Sequence, residues 1–116
     1  MICREENQSR RIKSDIWGGS GDVHFQDLFT ELDMGGRLNM LSRVTLMPGD
    51  AIGLHSHSEN GEVYYVLEGS GIVTDDGEEY RLNPGDAQFC ADGHTHGLRN
   101  DTDSPLVFLA IIAPNR

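Results

Sequence analysis

The stretch GDAIGLHSHSENGEVYYVLEG, residues 49–69, carries the strongest structural signal in the chain. Its run of β-branched and aromatic residues, VYYVL at 63–67, is typical of a β-strand. Turn signals bracket that run, with MPGD at 47–50 and ENG at 59–61 before it and EGSG at 68–71 after it. The stretch therefore predicts short strands joined by tight turns, and it places two histidines and a glutamate among them.

The same alternation of turn signals and short β-rich segments continues along the chain, with further turns predicted at GGSG, MGG, DDG, NPGD and ADG. No window keeps a helical period over three turns, although residues 25–32, FQDLFTEL, could form either a short helix or a strand. We therefore expect an all-β antiparallel sandwich or barrel. Residues 1–15 are predicted to be an N-terminal arm, either flexible or an edge strand, and residues 16–116 a single barrel domain.

Length and charge limit the classes of function. A chain of 116 residues has room for one hydrophobic core and no second domain. Its formal net charge of −10 repels phosphate backbones and anionic lipid surfaces, so we expect neither nucleic-acid nor membrane binding. The basic cluster of Arg10, Arg11 and Lys13 is interpreted as a solvated tail. The charged N-terminus lacks the apolar stretch of a signal peptide, so a cytoplasmic protein is expected.

The cysteine content also agrees with a cytoplasmic protein. Cys3 and Cys90 are the only two cysteines, which are too few for a disulfide framework, so we expect two free thiols. A catalytic Cys90 is the weaker alternative, because no base partner for its thiol can be identified in the sequence.

Four side chains form a candidate metal site: His55, His57, Glu62 and His96. Residues two apart on a strand face the same side, so His55 and His57 project together. Imidazole and carboxylate donors suit Mn, Fe, Co, Ni, Cu and Zn, and a buried carboxylate such as Glu62 needs a cationic partner. This donor set leaves about two positions open on a six-coordinate ion for water, dioxygen or a bidentate substrate. The alternative is an exposed histidine pair on a surface strand.

Two further residues are candidate catalytic groups. Tyr64 follows Glu62 by two positions and shares its face, so its hydroxyl would either bind a substrate or fill the barrel interior. His94 would contact a substrate or support the ligands only if it faces the same way as His96, and the alternative is an exposed loop histidine. Asn100 is expected to tie a loop together.

The segment around Glu62 is apolar on both faces, since Val63, Tyr65 and Leu67 share the face opposite the glutamate. A strand of this kind is normally covered on both sides, and the chain has no spare helix to supply that cover. We therefore expect a homodimer in which a second subunit covers the outer face. Cover by the N-terminal arm is the alternative.

The pattern GxxxxxHxHxxxxE, followed by six residues and a glycine, resembles the first signature of the cupin superfamily without a mismatch, from Gly49 to Gly69. Residues 85–100 resemble the second signature, GxxxxxPxGxxHxxxN, except that Ala91 replaces the usual proline. The resemblance implies a double-stranded β-helix, or jelly-roll, barrel of two antiparallel sheets around a metal-holding pocket. It also implies that the ligands are His55, His57, Glu62 and His96.

The resemblance also makes some enzyme classes less suitable than others. The chain looks most like the short single-domain cupins, in a superfamily that includes dioxygenases, decarboxylases, isomerases, lyases and non-catalytic binders. Its thiol dioxygenases typically lack the glutamate that Glu62 supplies here. Its oxalate decarboxylases place an arginine where Ile52 stands, so an oxalate-like dianion would lose its charge partner.

Together these observations predict a metal-dependent enzyme that acts on a small oxygenated organic molecule bound at the open metal positions. The cofactor would be one divalent transition metal ion, namely Mn, Fe, Ni, Co or Zn. Tyr64 and His94 are the candidate catalytic residues. The alternative is a non-catalytic binding or sensor module that uses the same pocket without turnover.

Overall fold

The computed structural model describes residues 1–115 of the chain. Within them lie ten β-strands and two single-turn 3₁₀ segments, Glu5–Asn7 and Ile16–Gly18. The strands are β1 Ser9–Ser14, β2 Asp22–Phe29, β3 Met40–Leu46, β4 Ala51–Ser56, β5 Asn60–Glu68, β6 Gly71–Asp75, β7 Glu78–Leu82, β8 Ala87–Cys90, β9 Thr95–Arg99 and β10 Leu106–Pro114. Across residues 1–115, none of the helical segments combines the length and the hydrophobicity that spanning a membrane requires.

The strands form two sheets in which every neighbouring pair is antiparallel. One sheet has six strands in the order β1-β2-β3-β10-β5-β8, and the other has four in the order β4-β9-β6-β7. This confirms the predicted all-β, jelly-roll fold of two antiparallel sheets. The ambiguous segment at residues 25–32 is a strand as far as Phe29, where β2 ends and a turn begins.

The core lies between the sheets because buried and exposed residues alternate along the strands. In β3, Ser42, Val44 and Leu46 are fully buried, while the residues between them are partly exposed. The largest fully buried side chains of the two sheets include Tyr64, Phe108, Leu46, Leu98 and Leu106. One continuous core therefore fills the barrel and supports the residues that line its open end.

Asn100 ties a loop together, as predicted. Its side-chain amide donates hydrogen bonds to the carbonyl oxygens of Leu46 at 2.9 Å and Ser104 at 2.7 Å. Its side-chain oxygen accepts from the backbone N–H and the hydroxyl of Thr102. With 2% exposure, Asn100 fixes the loop between β9 and β10 to the end of β3.

The N-terminal arm is an edge strand, since β1 pairs with β2 over residues 9–14. The Arg11 guanidinium lies 2.9 Å from the Asp27 carboxylate and 4.3 Å from the centre of the Phe25 ring. The interpretation of the basic cluster as a solvated tail is therefore wrong for Arg11. An ion pair and a cation–π contact hold that side chain against the barrel.

The second 3₁₀ segment packs directly on β4, and Gly53 permits the close approach. A Cβ at Gly53 would lie 1.9 Å from the Trp17 carbonyl oxygen, so any larger residue would push this segment away. Asp15 and Trp17 adopt left-handed backbone conformations, with φ of 50° and 56°. The resulting turn stacks the Trp17 indole on the His55 ring, with centroids 5.5 Å apart and planes 17° apart.

The outer face of the six-stranded sheet keeps an exposed apolar surface. Tyr65 and Leu67 on β5 are 40% and 39% exposed, and Phe89 on β8 is 61% exposed. The arm does not supply the cover, because β1 lies at the opposite edge of the sheet from β8. Cover by a second subunit stays a prediction.

Candidate metal centre

Two strands of one sheet and one strand of the other bring the four candidate ligands together. His55 on β4 lies directly opposite His96 on β9 in the antiparallel register, and His57 follows the end of β4. Glu62 reaches the same point from β5 in the facing sheet. The site is therefore made by the closure of the barrel, which joins residues separated by about forty positions in the sequence.

The donor atoms converge tightly. The Glu62 Oε1 atom lies 2.9 Å from His96 Nε2, 3.0 Å from His57 Nε2 and 3.5 Å from His55 Nε2. The Nε2 atoms of His57 and His96 are 3.1 Å apart. One donor atom from each of the four residues lies within 4.8 Å of all the others, and all four residues are buried.

Each imidazole is oriented by a hydrogen bond from its other nitrogen. The Nδ1 atoms contact three protein oxygens: His55 the Gly53 carbonyl at 2.9 Å, His57 the Asn60 Oδ1 at 2.8 Å, and His96 the Gln88 Oε1 at 2.9 Å. Because these oxygens are acceptors, each Nδ1 donates, and the single proton of a neutral imidazole stays there. Every Nε2 then presents its lone pair to the centre, as metal-binding histidines do.

The electrostatics of the cluster match this arrangement. Burial pushes the pKa of Glu62 upward, but the hydrogen bonds that the three histidines donate from Nε2 when they are protonated outweigh burial and leave it well below the ordinary value. Burial lowers the pKa of His96, whereas the hydrogen bond to Glu62 raises the pKa of His57. The cluster thus combines one carboxylate with imidazole donors. These four side chains could hold one metal ion, and their nitrogen and oxygen donors suit a divalent transition metal.

Tyr64 lies beneath the cluster. Its ring stacks on His96 with centroids 4.5 Å apart and planes 8° apart, and it meets Phe108 edge to face. The side chain is 1% exposed, and burial together with the nearby Glu62 charge raises the pKa of its phenol well above the ordinary value. Tyr64 therefore stays protonated and fills the barrel interior while forming part of the cavity lining.

His94 lies outside the cluster. Its side chain is 56% exposed and its Nδ1 pairs with the Asp76 carboxylate on the surface. His94 and His96 are two residues apart, but this spacing does not bring His94 to the site. Its position on the surface agrees with the alternative of an exposed loop histidine.

Cys3 and Cys90 are both free, as predicted. Cys90 is buried, and burial raises the pKa of its thiol to about 11. Since the thiolate is the nucleophilic form, this environment opposes a catalytic role for Cys90.

The cluster opens into a cavity of about 300 Å³. Its other boundaries include three residues of the N-terminal region, Arg11, Lys13 and Trp17. None of the three was a candidate site residue in the sequence. The available signal was the spacing of Arg11 and Lys13, which places both on one face of a strand while Arg10 and Ile12 take the other.

Comparison with known proteins gives the fold and the cluster a context. The profile of the cupin domain matches residues 42–112, which form more than half of the chain and include all four clustered side chains. The chain belongs to the cupin family. The family resemblance inferred from the two signatures is thereby confirmed, and the alanine at position 91 does not disturb the convergence of the donors.

The similarity extends beyond the matched domain. An oxalate-binding protein from Thermotoga maritima is 32% identical to this cupin over 112 residues, which cover 97% of this chain and 93% of that protein. The structure of a predicted oxalate decarboxylase from Thermotoga maritima has a TM-score of 0.93 at 32% identity, covering 98% of this chain and 99% of the other. A cupin-superfamily sugar phosphate isomerase from Silicibacter pomeroyi has a TM-score of 0.77 at 27% identity, covering 99% and 76%.

Proposed function

We propose that this cupin is a metal-dependent enzyme that acts on a small organic acid. The proposed ligands of its single divalent ion are His55, His57, Glu62 and His96. The supporting observation is the convergence of three Nε2 atoms and one carboxylate oxygen at a buried point, with every Nδ1 already hydrogen-bonded. Mn, Fe, Co, Ni and Zn all suit such a donor set.

The spacing of two nitrogens supports a cation at this point. The Nε2 atoms of His57 and His96 are 3.1 Å apart, and their protons are held on Nδ1. Two lone pairs that face each other at this distance repel unless a cation or a proton lies between them. A divalent ion would relieve that repulsion and also compensate the buried charge of Glu62.

When bound, the ion would polarise a carbonyl or carboxylate oxygen of the substrate as a Lewis acid. Residues of this chain supply the rest of the environment. Lys13 offers an ammonium group to an anionic substrate, and Trp17 covers one face of His55 and so limits the access of water to it. Tyr64 holds the ring of His96 in place by stacking on it.

An acidic substrate is supported by charge and by the comparisons. Ile52 occupies the position at which the oxalate decarboxylases carry an arginine. Two other cations, Arg11 and Lys13 on β1, line the same cavity. Arg11 is engaged with Asp27, which leaves Lys13 as the more available cation. The curated relative and the solved structure from Thermotoga maritima, each 32% identical to this chain, both carry oxalate in their names. The isoleucine alone therefore does not exclude a carboxylate ligand.

A second candidate function is binding of the same acid without turnover. Apart from His55, His57 and Glu62, the titratable side chains that line the cavity within residues 1–115 are Arg11, Lys13 and Tyr64. Two of them are cations, and the pKa of Tyr64 lies well above its ordinary value. None of them is suited to act as a general base at neutral pH, and this observation favours a binder.

We also propose that the protein is a cytoplasmic homodimer. A homodimer would bury the exposed side chains of Tyr65, Leu67 and Phe89 on the outer sheet face, and sedimentation velocity on the wild-type chain tests it. Free thiols at Cys3 and Cys90 suit the reducing cytoplasm.

Turnover separates the two functional candidates. The protein is reconstituted in turn with Mn, Fe, Co, Ni and Zn and incubated with a panel of small organic acids, with and without dioxygen, while NMR follows substrate loss and calorimetry follows binding. Metal-dependent substrate loss that the Glu62→Gln variant lacks supports the enzyme. Binding without substrate loss at any metal supports the binder. A protein that takes up none of these metals contradicts both.

A further inference from the structure

The cavity beside the cluster is larger than a small dianion requires. Its volume of about 300 Å³ equals that of about ten water molecules at about 30 Å³ each. It lies at the lower end of the roughly 300–1,000 Å³ range of pockets that enclose organic ligands. A molecule made only of two joined carboxylates, chelated at the ion, would occupy the polar side and leave the remainder filled with water.

That remainder is bounded by an apolar wall, which consists of Ile16, Phe25, Met40 and Ile112. The four residues come from the second 3₁₀ segment, β2, β3 and β10. Ile16 and Met40 pack against the core but stay only partly buried, and Ile112 is partly buried as well. Because they line the cavity, an apolar group placed there would cover their remaining exposed surface, which is favourable in water.

The wall is held in place by its own contacts. The Arg11 guanidinium donates two hydrogen bonds to the Asp27 carboxylate, at 2.9 and 3.1 Å, and contacts the Met40 sulfur at 3.4 Å. The same guanidinium lies over the Phe25 ring. Two wall residues are thus positioned by one cation that is itself anchored, so little ordering is needed when a ligand binds.

We propose that the substrate is an organic acid with an apolar body. Its oxygen-bearing head is chelated at the ion, and its aliphatic or aromatic body lies on the apolar wall. This inference rests on the proposed function, because chelation of the head needs the metal. The substrate class is therefore acids with an extended hydrocarbon part, and oxalate is the truncated member that shares only the head.

A chain-length series tests the inference. Straight-chain 2-oxo acids from 2-oxopropanoate to 2-oxohexanoate, with oxalate as the reference, are titrated into the metal-loaded protein. Trp17 is the only tryptophan and lines the cavity, so its fluorescence reports ligand entry while calorimetry gives affinity. Each methylene that reaches the wall should raise affinity about fourfold, or about 60-fold across the series. A flat or falling series in which oxalate binds best would overturn the inference.

A matched pair of variants locates the effect. Met40→Gln places an amide of similar size in the wall and should flatten the dependence of affinity on chain length. Met47→Gln changes an exposed methionine outside the cavity and should keep the wild-type dependence. An equally steep series in a folded Met40→Gln protein would place the hydrocarbon elsewhere, and if that variant does not fold, the wild-type series still decides.

The thermal shift on metal addition is recorded in the same samples. No shift with any metal contradicts the proposed function and this inference with it. A clear metal shift combined with a flat series contradicts the inference alone.

Discussion

The cluster of candidate metal ligands and the apolar wall lie beside the same cavity but are built in opposite ways. Three of the four clustered side chains lie within residues 55–62, and all four are buried and hydrogen-bonded. The wall is drawn from four separate elements and retains partly exposed apolar surface. The two proposed roles, binding of the ion and selection of the ligand, therefore have separate structural origins. Substitutions on one side should therefore leave the other side largely intact.

The most severe test of this separation is Glu62→Gln, which removes the only carboxylate of the cluster with little change in size. We expect metal affinity to fall at least about 100-fold, beyond the roughly 10–100-fold effect of outer hydrogen-bonding partners. The wild-type protein at a metal concentration about 100 times Kd gains about 2.7 kcal/mol, which raises Tm by roughly 10 °C. The variant should lose most of that rise in a thermal melt.

Glu68→Gln is the matched control. Glu68 lies on the same strand, is exposed, and pairs loosely with Arg43 at 3.5 Å. Its metal-dependent rise in Tm should equal that of the wild type. If Glu62→Gln also keeps the full rise, the carboxylate is not a ligand and the cluster has been misassigned.

Acid should release the metal, because a protonated imidazole cannot ligate. The hydrogen bond to Glu62 raises the pKa of His57 above the ordinary 6.5, whereas burial lowers that of His96, so His57 is protonated before His96 as pH falls. Metal-derived stability is thus present at neutral pH and lost below about pH 6. Metal affinity should therefore fall progressively as pH falls through the raised pKa of His57.

Melts with and without metal across this range measure the effect. Without metal, the raised pKa of His57 has the opposite effect on stability. It stabilises the folded protein below pH 6.5, and this stability is lost as pH rises through the raised pKa. The lowered pKa of Glu62 contributes stability that is lost only as pH falls below its ordinary 4.5. The difference in Tm between the two forms should therefore narrow in acid. A difference that stays constant down to about pH 5 would contradict histidine ligation.

A smaller effect is expected from Gln88→Met, which removes the acceptor of the His96 Nδ1 proton and keeps the length of the side chain. The imidazole would lose its fixed orientation, and metal affinity should fall by roughly 10–100-fold. Isothermal titration with the metal measures the change. Gln26→Met is the control, since Gln26 is also buried but pairs with Gln8 away from the cluster, and its metal affinity should be that of the wild type.

The smallest effect is predicted for Lys13→Gln on the arm. Lys13 lines the cavity at an exposed position, so its charge acts through solvent and should change the affinity for an organic acid by less than about tenfold. The change should shrink further at high salt, and metal affinity should stay the same. Arg10→Gln, on the other face of β1, serves as the control. Equal losses in both variants would indicate a long-range charge effect without a contact.

Sequence reasoning found the cluster but missed the wall, and the reason is physical. Strand alternation predicts that His55 and His57 project together, whereas Glu62 and His96 were placed with them by the resemblance to the two cupin signatures. The turn signals predicted the strands equally well, because glycine and proline chemistry acts locally.

The residues that the N-terminal region contributes to the cavity are positioned by tertiary contacts. Trp17 reaches the cavity only because Gly53 lets the 3₁₀ segment approach β4, and Arg11 is held by Asp27, which is sixteen residues away. His94 is the converse case, since it lies two residues from His96 in the sequence but pairs with Asp76 on the surface. Loop geometry decided its position, and no periodicity in the sequence encodes that geometry.

The most direct test is a crystal structure of the metal-loaded protein with anomalous scattering data collected at the metal edge. We expect one ion per chain, bonded to the Nε2 atoms of three histidines and to the carboxylate of Glu62 at about 2.0–2.2 Å. An ion bound elsewhere, or four side chains that separate and leave the point between them without metal, would contradict it.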